Sequence, residues 1–235
     1  MENIFKSVQK MNETVVKVPS PKVINVMNGV FVDRGYLDWQ QKRVKTLIDI
    51  YGPDFFHGKK ILEVGSYRGD LTQMFYNLGA NITGTEGSDK NLETCRTHYP
   101  HLNFIKYDWE STDWIFEDNY DIIIHWGVLY HLKNPRGSLL MCLQHTNLMF
   151  LETLILDRSG SYIEDIKEDV NLPDQSVHGL GSRFTSTYVE NIIQEAGFTA
   201  KRLDWSTLNS QNQPFYNFPE GDTNKIYRRF WIVVK

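Results

Sequence analysis

The chain has 235 residues, of which 41% are hydrophobic and 23% charged, with a formal net charge of −4. That length suits one well-buried domain, and the composition is that of an ordinary soluble globular protein. The mild negative charge gives no long-range attraction to nucleic acid or an anionic membrane, no apolar run nears the ~20 residues that span a bilayer, and the N-terminus is too polar for a signal peptide.

Cys95 and Cys142 both sit in apolar helical patterns and read as reduced core thiols. Neither has spacing suited to a metal, so no metal site is expected, and the expected location is cytoplasmic.

Residues 1–35 carry no clean periodicity, and Pro19 and Pro21 flank Ser20. They read as an N-terminal arm, either extended or a short helix on the domain, or as a poorly ordered tail. Over 36–51 a helix is expected: Val44, Leu47, Ile48 and Tyr51 share one face, and Gly52-Pro53 stops it. The run KKILEVGSYRGD from Lys59 then reads as a buried strand over 60–64, a turn from Gly65, and a helix opening near Gly69. Glycines in such a turn let the backbone approach a ligand, with the N–H groups of the helix start facing it. That helix carries Leu71, Met74, Phe75 and Leu78 inward. A second strand over 81–85 ends on Glu86, about 20 residues past the turn, where an acid holds ribose hydroxyls.

A helix from about Lys90, with Leu92, Cys95 and Tyr99 inward, ends at Pro100. A third strand over 103–107 is closed by Asp108. A fourth, over 121–124, runs into His125-Trp126-Gly127. A helix from about Pro135, with Leu139, Leu140 and Leu143 inward, leads to an apolar fifth strand over 148–155. The alternation argues for a doubly wound α/β domain over 36–235, with a parallel sheet and helices on both faces.

The connection over 157–184 is too long for a plain turn. It leaves the carboxyl end of a central strand, where such sheets bind ligands, so it reads as a substrate lid, the alternative being a solvated insertion. In the last helix, Thr187 and Glu190 fit a capping box, Val189, Ile192, Ile193 and Ala196 form one face, and Gly197 caps the end. Strands over 200–205 and 229–234 finish the chain, joined by a polar, aromatic loop.

Glu63, the turn Gly65-Ser66-Tyr67-Arg68-Gly69, Glu86, Asp108 and His125-Trp126-Gly127 stand in an order that resembles the class I S-adenosylmethionine (SAM)-dependent methyltransferases. The resemblance covers roughly 59–156, and more loosely the rest. It implies SAM as cofactor and a mostly parallel seven-stranded sheet with an antiparallel last strand. It also implies that Glu86, beside Gly87, holds the ribose and that Asp108 accepts from the adenine amino group, with Trp109 as an apolar wall. Glu63, Ser66 and Tyr67 would lie around the turn and the amino end of the cofactor, with Gly65 and Gly69 allowing close approach. His125 and Trp126 would line the site near the sulfonium. One departure stands out: the family's middle glycine is Tyr67 here, which must point away from the cofactor or pack beside it. Helix residues Tyr36, Trp39 and Arg43 become candidate lid contacts, or else plain helix surface and core.

Gly127-Val128-Leu129-Tyr130-His131-Leu132 is similar to a stretch after strand four in several of these families, including the tRNA wobble-uridine carboxymethyltransferases. His131 titrates near neutrality by default and could take a proton from a nucleophile, or it could simply pack the helix that follows. Tyr130 could orient cofactor or substrate. His178 is a second candidate base, and Arg183 could bind an anionic group on the substrate. No N/D-P-P-Y/F motif follows strand four, no cysteine stands at the end of strand four or five to form a covalent pyrimidine adduct, and no basic stripe suggests RNA. These absences favour a small-molecule acceptor methylated at O or N. The alternatives are a tRNA-modifying transferase and a non-catalytic SAM-binding protein; a nicotinamide dehydrogenase would want G-x-G-x-x-G, which is missing.

Overall fold

Four buried residues, Ile61 to Val64, make β1 (Lys60–Val64) apolar on both sides, apart from the acid Glu63. A strand of that kind needs cover on both faces, which crossover helices supply. β2 (Asn81–Glu86), β3 (Asn103–Lys106), β4 (Ile122–Trp126) and β5 (Leu148–Leu156) join it in parallel. The computed structural model describes residues 34–116, 119–209 and 222–235. Most of the expected N-terminal arm and of the loop between the last two strands lies outside them.

The sheet has seven strands in the order β3-β2-β1-β4-β5-β9-β8. The last strand in sequence, β9 (Ile226–Val234), inserts antiparallel between β5 and β8 (Thr199–Arg202). The doubly wound sheet with an antiparallel last strand is therefore as expected. On one face Val44 and Leu47 of α1 (Arg34–Tyr51) and Phe75 of α2 (Asp70–Asn77) pack with Ile61, Ile124 and Phe150. On the other, Leu139 of α4 (Pro135–Gln144) and Val189 of α5 (Ser186–Glu195) pack with Leu62, Ile123 and Leu151. Alternate residues of each strand serve the two cores, as the pleat requires. α3 (Asp89–His98) adds a small cluster in which Leu92, Cys95 and Tyr99 meet Phe104. Cys95 and Cys142 are buried free thiols. No described helix is long and apolar enough to cross a membrane.

Among the boundaries that differ from the sequence reading, three stand out. β4 runs through His125 and Trp126, which therefore face opposite sides of the sheet. The cap of α5 is Thr185, whose Oγ1 accepts from the Tyr188 N–H at 3.3 Å, and not Thr187. Glu190 is drawn instead into a two-pronged bond from Arg202 (2.6 and 2.8 Å) and accepts from Trp231 Nε1 (2.8 Å), partners distant in sequence. β8 ends at Arg202, and a short 3-10 turn, Ser206–Leu208, follows.

The connection over 157–184 holds an antiparallel hairpin of its own, β6 (Ile163–Lys167) and β7 (Leu180–Phe184). The segment between these strands lies over the carboxyl ends of the main sheet, where Asn91 Nδ2 of α3 donates to Pro173 O at 2.7 Å.

Candidate active site

A cleft opens along the carboxyl ends of the strands, between α1 and the 168–178 segment. Its floor begins at the turn after β1. Gly65 has φ +74°, and a Cβ there would stand 2.2 Å from Val128 Cγ2, so only glycine lets this turn and the one after β4 approach so closely. Tyr67 also takes a left-handed conformation, φ +54°, and so supplies the backbone shape a glycine would. Its ring packs edge-on against Tyr36 at 5.4 Å, and both line the cleft. The tyrosine thus packs beside the site. Gly69, φ +91°, is the N-cap of α2 and lies under Tyr99 and Phe104, outside the cleft. Its role is the turn itself.

The three acids expected from the sequence all meet the cleft. Glu63 is buried and accepts from Ser66 Oγ at 3.3 Å and from Thr72 Oγ1. Burial pushes its carboxyl up to about 8 against those hydrogen bonds, so it holds a proton at neutral pH. Glu86 accepts from the Tyr67 N–H at 2.7 Å and the Ser88 N–H at 2.9 Å. Burial raises its carboxyl and these backbone donors oppose the rise. Asp108 is half-exposed, accepting from the Glu110 N–H at 3.0 Å and lying 2.7 Å from His178 Nε2. Trp109 is buried beside it, with Nε1 donating to Thr85 Oγ1 at 2.9 Å. Gly87 faces Val177 of the covering segment; a Cβ there would be 3.0 Å from Val177 Cγ2. His178 thus belongs to the end of the cleft where Glu86, Gly87 and Asp108 gather.

At the other end stands the short 3-10 turn Leu129–His131. His131 lines the cleft, and its Nδ1 lies 2.5 Å from Glu168 Oε2. Glu168, in the segment after β6, also accepts from the Ser176 N–H at 2.7 Å, with Arg183 Nη1 at 3.6 Å from its other oxygen. Burial works against its charge, but the His131 hydrogen bond and charge, Ser176 and Arg183 together hold its carboxyl below the usual range. Tyr130 is buried on the cleft wall, and its hydroxyl accepts from Arg228 Nη2 at 3.0 Å.

Besides Gly69, two expected site residues fall elsewhere. His125 is fully buried on the core side of β4, tilted against Trp109 with ring centres 6.4 Å apart, and burial pulls its imidazole down to about 3. Its strand neighbour Trp126 takes the cleft side. Arg183 is turned from the cleft, donating to Tyr130 O at 3.3 Å and Ser182 O at 2.9 Å. Of the lid candidates on α1, Tyr36 and Trp39 line the cleft; Arg43 lies beneath it, donating to Trp39 O at 3.0 Å and Leu208 O at 3.3 Å.

The sequence reading did not single out Gln40, Glu152, Glu168 or Arg228. Glu152 and Arg228 had a visible signal, since each is a charge inside a mostly apolar strand (Arg228 beside Arg229), a placement that demands a partner. Glu168 had none, standing among several acids of a polar segment.

The donor set fits SAM. A glycine-built close approach at Gly65, a carboxylate at Glu86, a second acid at Asp108 and the indole wall of Trp109 meet one cleft. A family model described as a methyltransferase domain matches residues 36–203, well over half the chain. A ubiquinone biosynthesis O-methyltransferase of Shewanella pealeana is 30% identical over 89 residues, covering 36% of this chain and 38% of that protein. A second of the same name from Roseobacter denitrificans is 25% identical over 41% of this chain and 40% of its own length, so the chain spans about two fifths of the length of these two relatives. Among solved structures, the N-terminal domain of EvdMO1, crystallised in the presence of SAH and D-fucose, is 15% identical with a TM-score of 0.66 over 100% of this chain and 95% of that one. Magnesium protoporphyrin IX methyltransferase from Synechocystis PCC 6803, with bound SAM, is 13% identical with a TM-score of 0.55 over 94% of this chain and 100% of that one. These two likenesses are of fold. With the matched domain spanning most of the cleft's framework, the chain belongs to the class I S-adenosylmethionine-dependent methyltransferase family.

Proposed function

We propose that the protein methylates an oxygen of a small-molecule acceptor, with SAM as the methyl donor. The observation that carries this reading is that His131, tied through Nδ1 to Glu168 at 2.5 Å, lines the same cleft as the Gly65 turn and Glu86. The O-methyltransferase name of the partial relatives agrees with it. So does the concave, largely aromatic and polar-flanked lining of the cleft, which suits a small molecule.

SAM, when bound, supplies a methyl group activated on a sulfonium. Glu86 would accept from its ribose hydroxyls, and Asp108 from its adenine amino group beside Trp109. Tyr36, Trp39 and the 168–178 segment would exclude water above the reacting atoms. With the Nδ1 proton of His131 donated to Glu168, Nε2 keeps its lone pair and can receive the acceptor's hydroxyl proton as the methyl moves. His178, held on Asp108, serves the cofactor end in this scheme. Alignment supplies most of the rate gain, on the order of 7–11 kcal/mol, and His131 adds to it.

The test is calorimetric titration with SAM and S-adenosylhomocysteine, followed by transfer of labelled methyl to a panel of phenols, hydroxy acids and amines. Micromolar binding and label in an oxygen-methylated product support the reading. A folded, ligand-free protein that binds neither compound would end it.

A further inference from the structure

The segment over 168–178 touches both ends of the cleft. At its neck Glu168, with a side chain 2% exposed, meets His131 Nδ1 at 2.5 Å. The Ser176 N–H closes the neck from within, donating to the same Glu168 oxygen at 2.7 Å. Gly181 of β7 seats the neck on the turn after β4: a Cβ there would lie 2.6 Å from Tyr130 O and 2.8 Å from Glu168 Oε1. The acid that orients His131 is therefore built into the covering hairpin.

The rest of the segment is fastened to residues around the cofactor end and the mouth. Asn91, on the cleft wall, donates from Nδ2 to Pro173 O at 2.7 Å, and its side chain also interacts with the Glu86 carboxylate. Asp174 accepts from Tyr36 Oη at 3.2 Å. Val177 lies over Gly87, 3.0 Å from where a Cβ would stand. His178 Nε2 stands 2.7 Å from Asp108 Oδ2, and because an ionised carboxylate can only accept, the imidazole is the donor. One continuous stretch of chain thus meets the groups assigned to ribose and adenine and carries the partner of the proposed base.

The two imidazole–carboxylate pairs differ in exposure, and the difference decides which of them a ligand can tune. His131 and Glu168 are 16% and 2% exposed, so their contact is sheltered already. His178 and Asp108 are 53% and 45% exposed, and a pair so open to water contributes little to holding a loop. An adenine seated beside Asp108 and Trp109 would exclude water from this second pair and strengthen it, since a hydrogen bond gains as the local dielectric falls. The ligand and His178 need not compete. Each carboxylate oxygen can accept twice, so the adenine amino group can join His178 on Asp108.

We propose that His178 is a positioning residue that makes assembly of the base depend on the cofactor: adenosine at Asp108 tightens the His178 contact, and the fastened segment holds Glu168 on His131. The inference rests on the methyl-transfer reading and adds to it a coupling between the two substrate sites. Linkage makes that coupling reciprocal, so an ordered His131–Glu168 pair favours retention of the cofactor in turn.

Amide hydrogen exchange and NMR of 15N-labelled histidine test this on the full chain without the acceptor. The Ser176 amide reports on Glu168 directly. Saturating S-adenosylhomocysteine is expected to slow its exchange by about tenfold in the parent, a usual size for coupled sites, and to hold the His131 proton on Nδ1. 5′-Methylthioadenosine, which lacks the amino-acid end, should do the same. In His178→Ala, with ligand raised until that variant too is saturated, most of the slowing should vanish. His178→Gln keeps a donor and should recover much of it. A purely structural His178 would instead leave the ratio of exchange with and without ligand as in the parent, and that result overturns the proposal. So does a parent in which bound ligand leaves Ser176 unchanged or speeds it, since adenine would then be displacing His178. Slowing by S-adenosylhomocysteine but not by 5′-methylthioadenosine also overturns it, and this comparison stands even if a variant does not fold. Failure of the folded parent to bind either compound would sink the methyl-transfer reading, and the coupling with it.

Discussion

Glu168 Oε2 lies 2.5 Å from His131 Nδ1, a contact that joins the segment after β6 to the turn after β4 across 37 residues. The pair fixes the ring of a cleft-lining histidine by a buried carboxylate that the covering segment delivers. Lid and base would therefore be set together: a displaced segment takes the partner of His131 with it.

On this relationship His131→Ala should lower kcat by about 100-fold, the usual contribution of a positioned base, while S-adenosylhomocysteine affinity changes less than about twofold. Glu168→Gln keeps an acceptor oxygen but removes the charge, and should cost about tenfold in kcat with little change in KM. Steady-state kinetics with the acceptor that gives turnover decides. Unchanged kcat in His131→Ala would remove it as the base.

Glu86→Ala should weaken SAM binding by about 1.5–3 kcal/mol, the range for hydrogen bonds to a charged group. Asp108→Ala should weaken it less, because Asp108 is half-exposed and water can replace it. Calorimetry on the two variants reads both values. Parent-like affinity in both would mean that the adenosine end is misplaced.

Gly65→Ala meets two obstacles at once, a φ of +74° and a Cβ 2.2 Å from Val128 Cγ2. The expected loss of stability is roughly 1–3 kcal/mol, with SAM affinity reduced as the turn shifts. Urea unfolding and cofactor titration of the same variant give the two numbers. A variant as stable as the parent would show that the turn after β4 yields easily.

Two buried groups should shape stability against pH in opposite senses. His125 is held neutral, pulled down to about 3 by burial, whereas its unfolded value is about 6.5. As pH falls below about 6.5 the unfolded chain gains a proton that the fold does not, so stability drops towards acid pH. Glu63 is pushed up to about 8 by burial against about 4.3 unfolded. Between those values the fold keeps a proton that the unfolded chain has lost, so stability falls as pH rises to about 8. Each slope is at most about 1.4 kcal/mol per pH unit. Urea midpoints at several pH values should show the parent losing ground to Glu63→Gln between pH 5 and 8, and to His125→Phe between pH 6.5 and 4. Differences that stay constant with pH would contradict both assignments.

Much of the frame was legible from local pattern. Apolar runs of strand length, helical faces such as Val44, Leu47 and Ile48, and turn-forming glycines gave the order of strands and helices and the site of the cleft. The spacing from Gly65 to Glu86 worked because β1 and β2 are parallel neighbours, so their carboxyl ends must meet. Boundaries were less legible, and a shift of two residues mattered: ending the fourth strand at 124 left His125 and Trp126 as loop neighbours, whereas strand geometry sends them to opposite faces.

The sequence by itself determined the fold class and the family, because hydrophobic period and turn chemistry act between residues close along the chain. Tertiary structure alone decided which polar side chains meet. Arg183 turned to the Tyr130 backbone and Glu168, Arg228 found Glu152 across 76 residues, and His178 reached Asp108 across 70. Their identities say that each needs a partner. Only the packing of distant segments over one sheet says which partner is within about 3 Å.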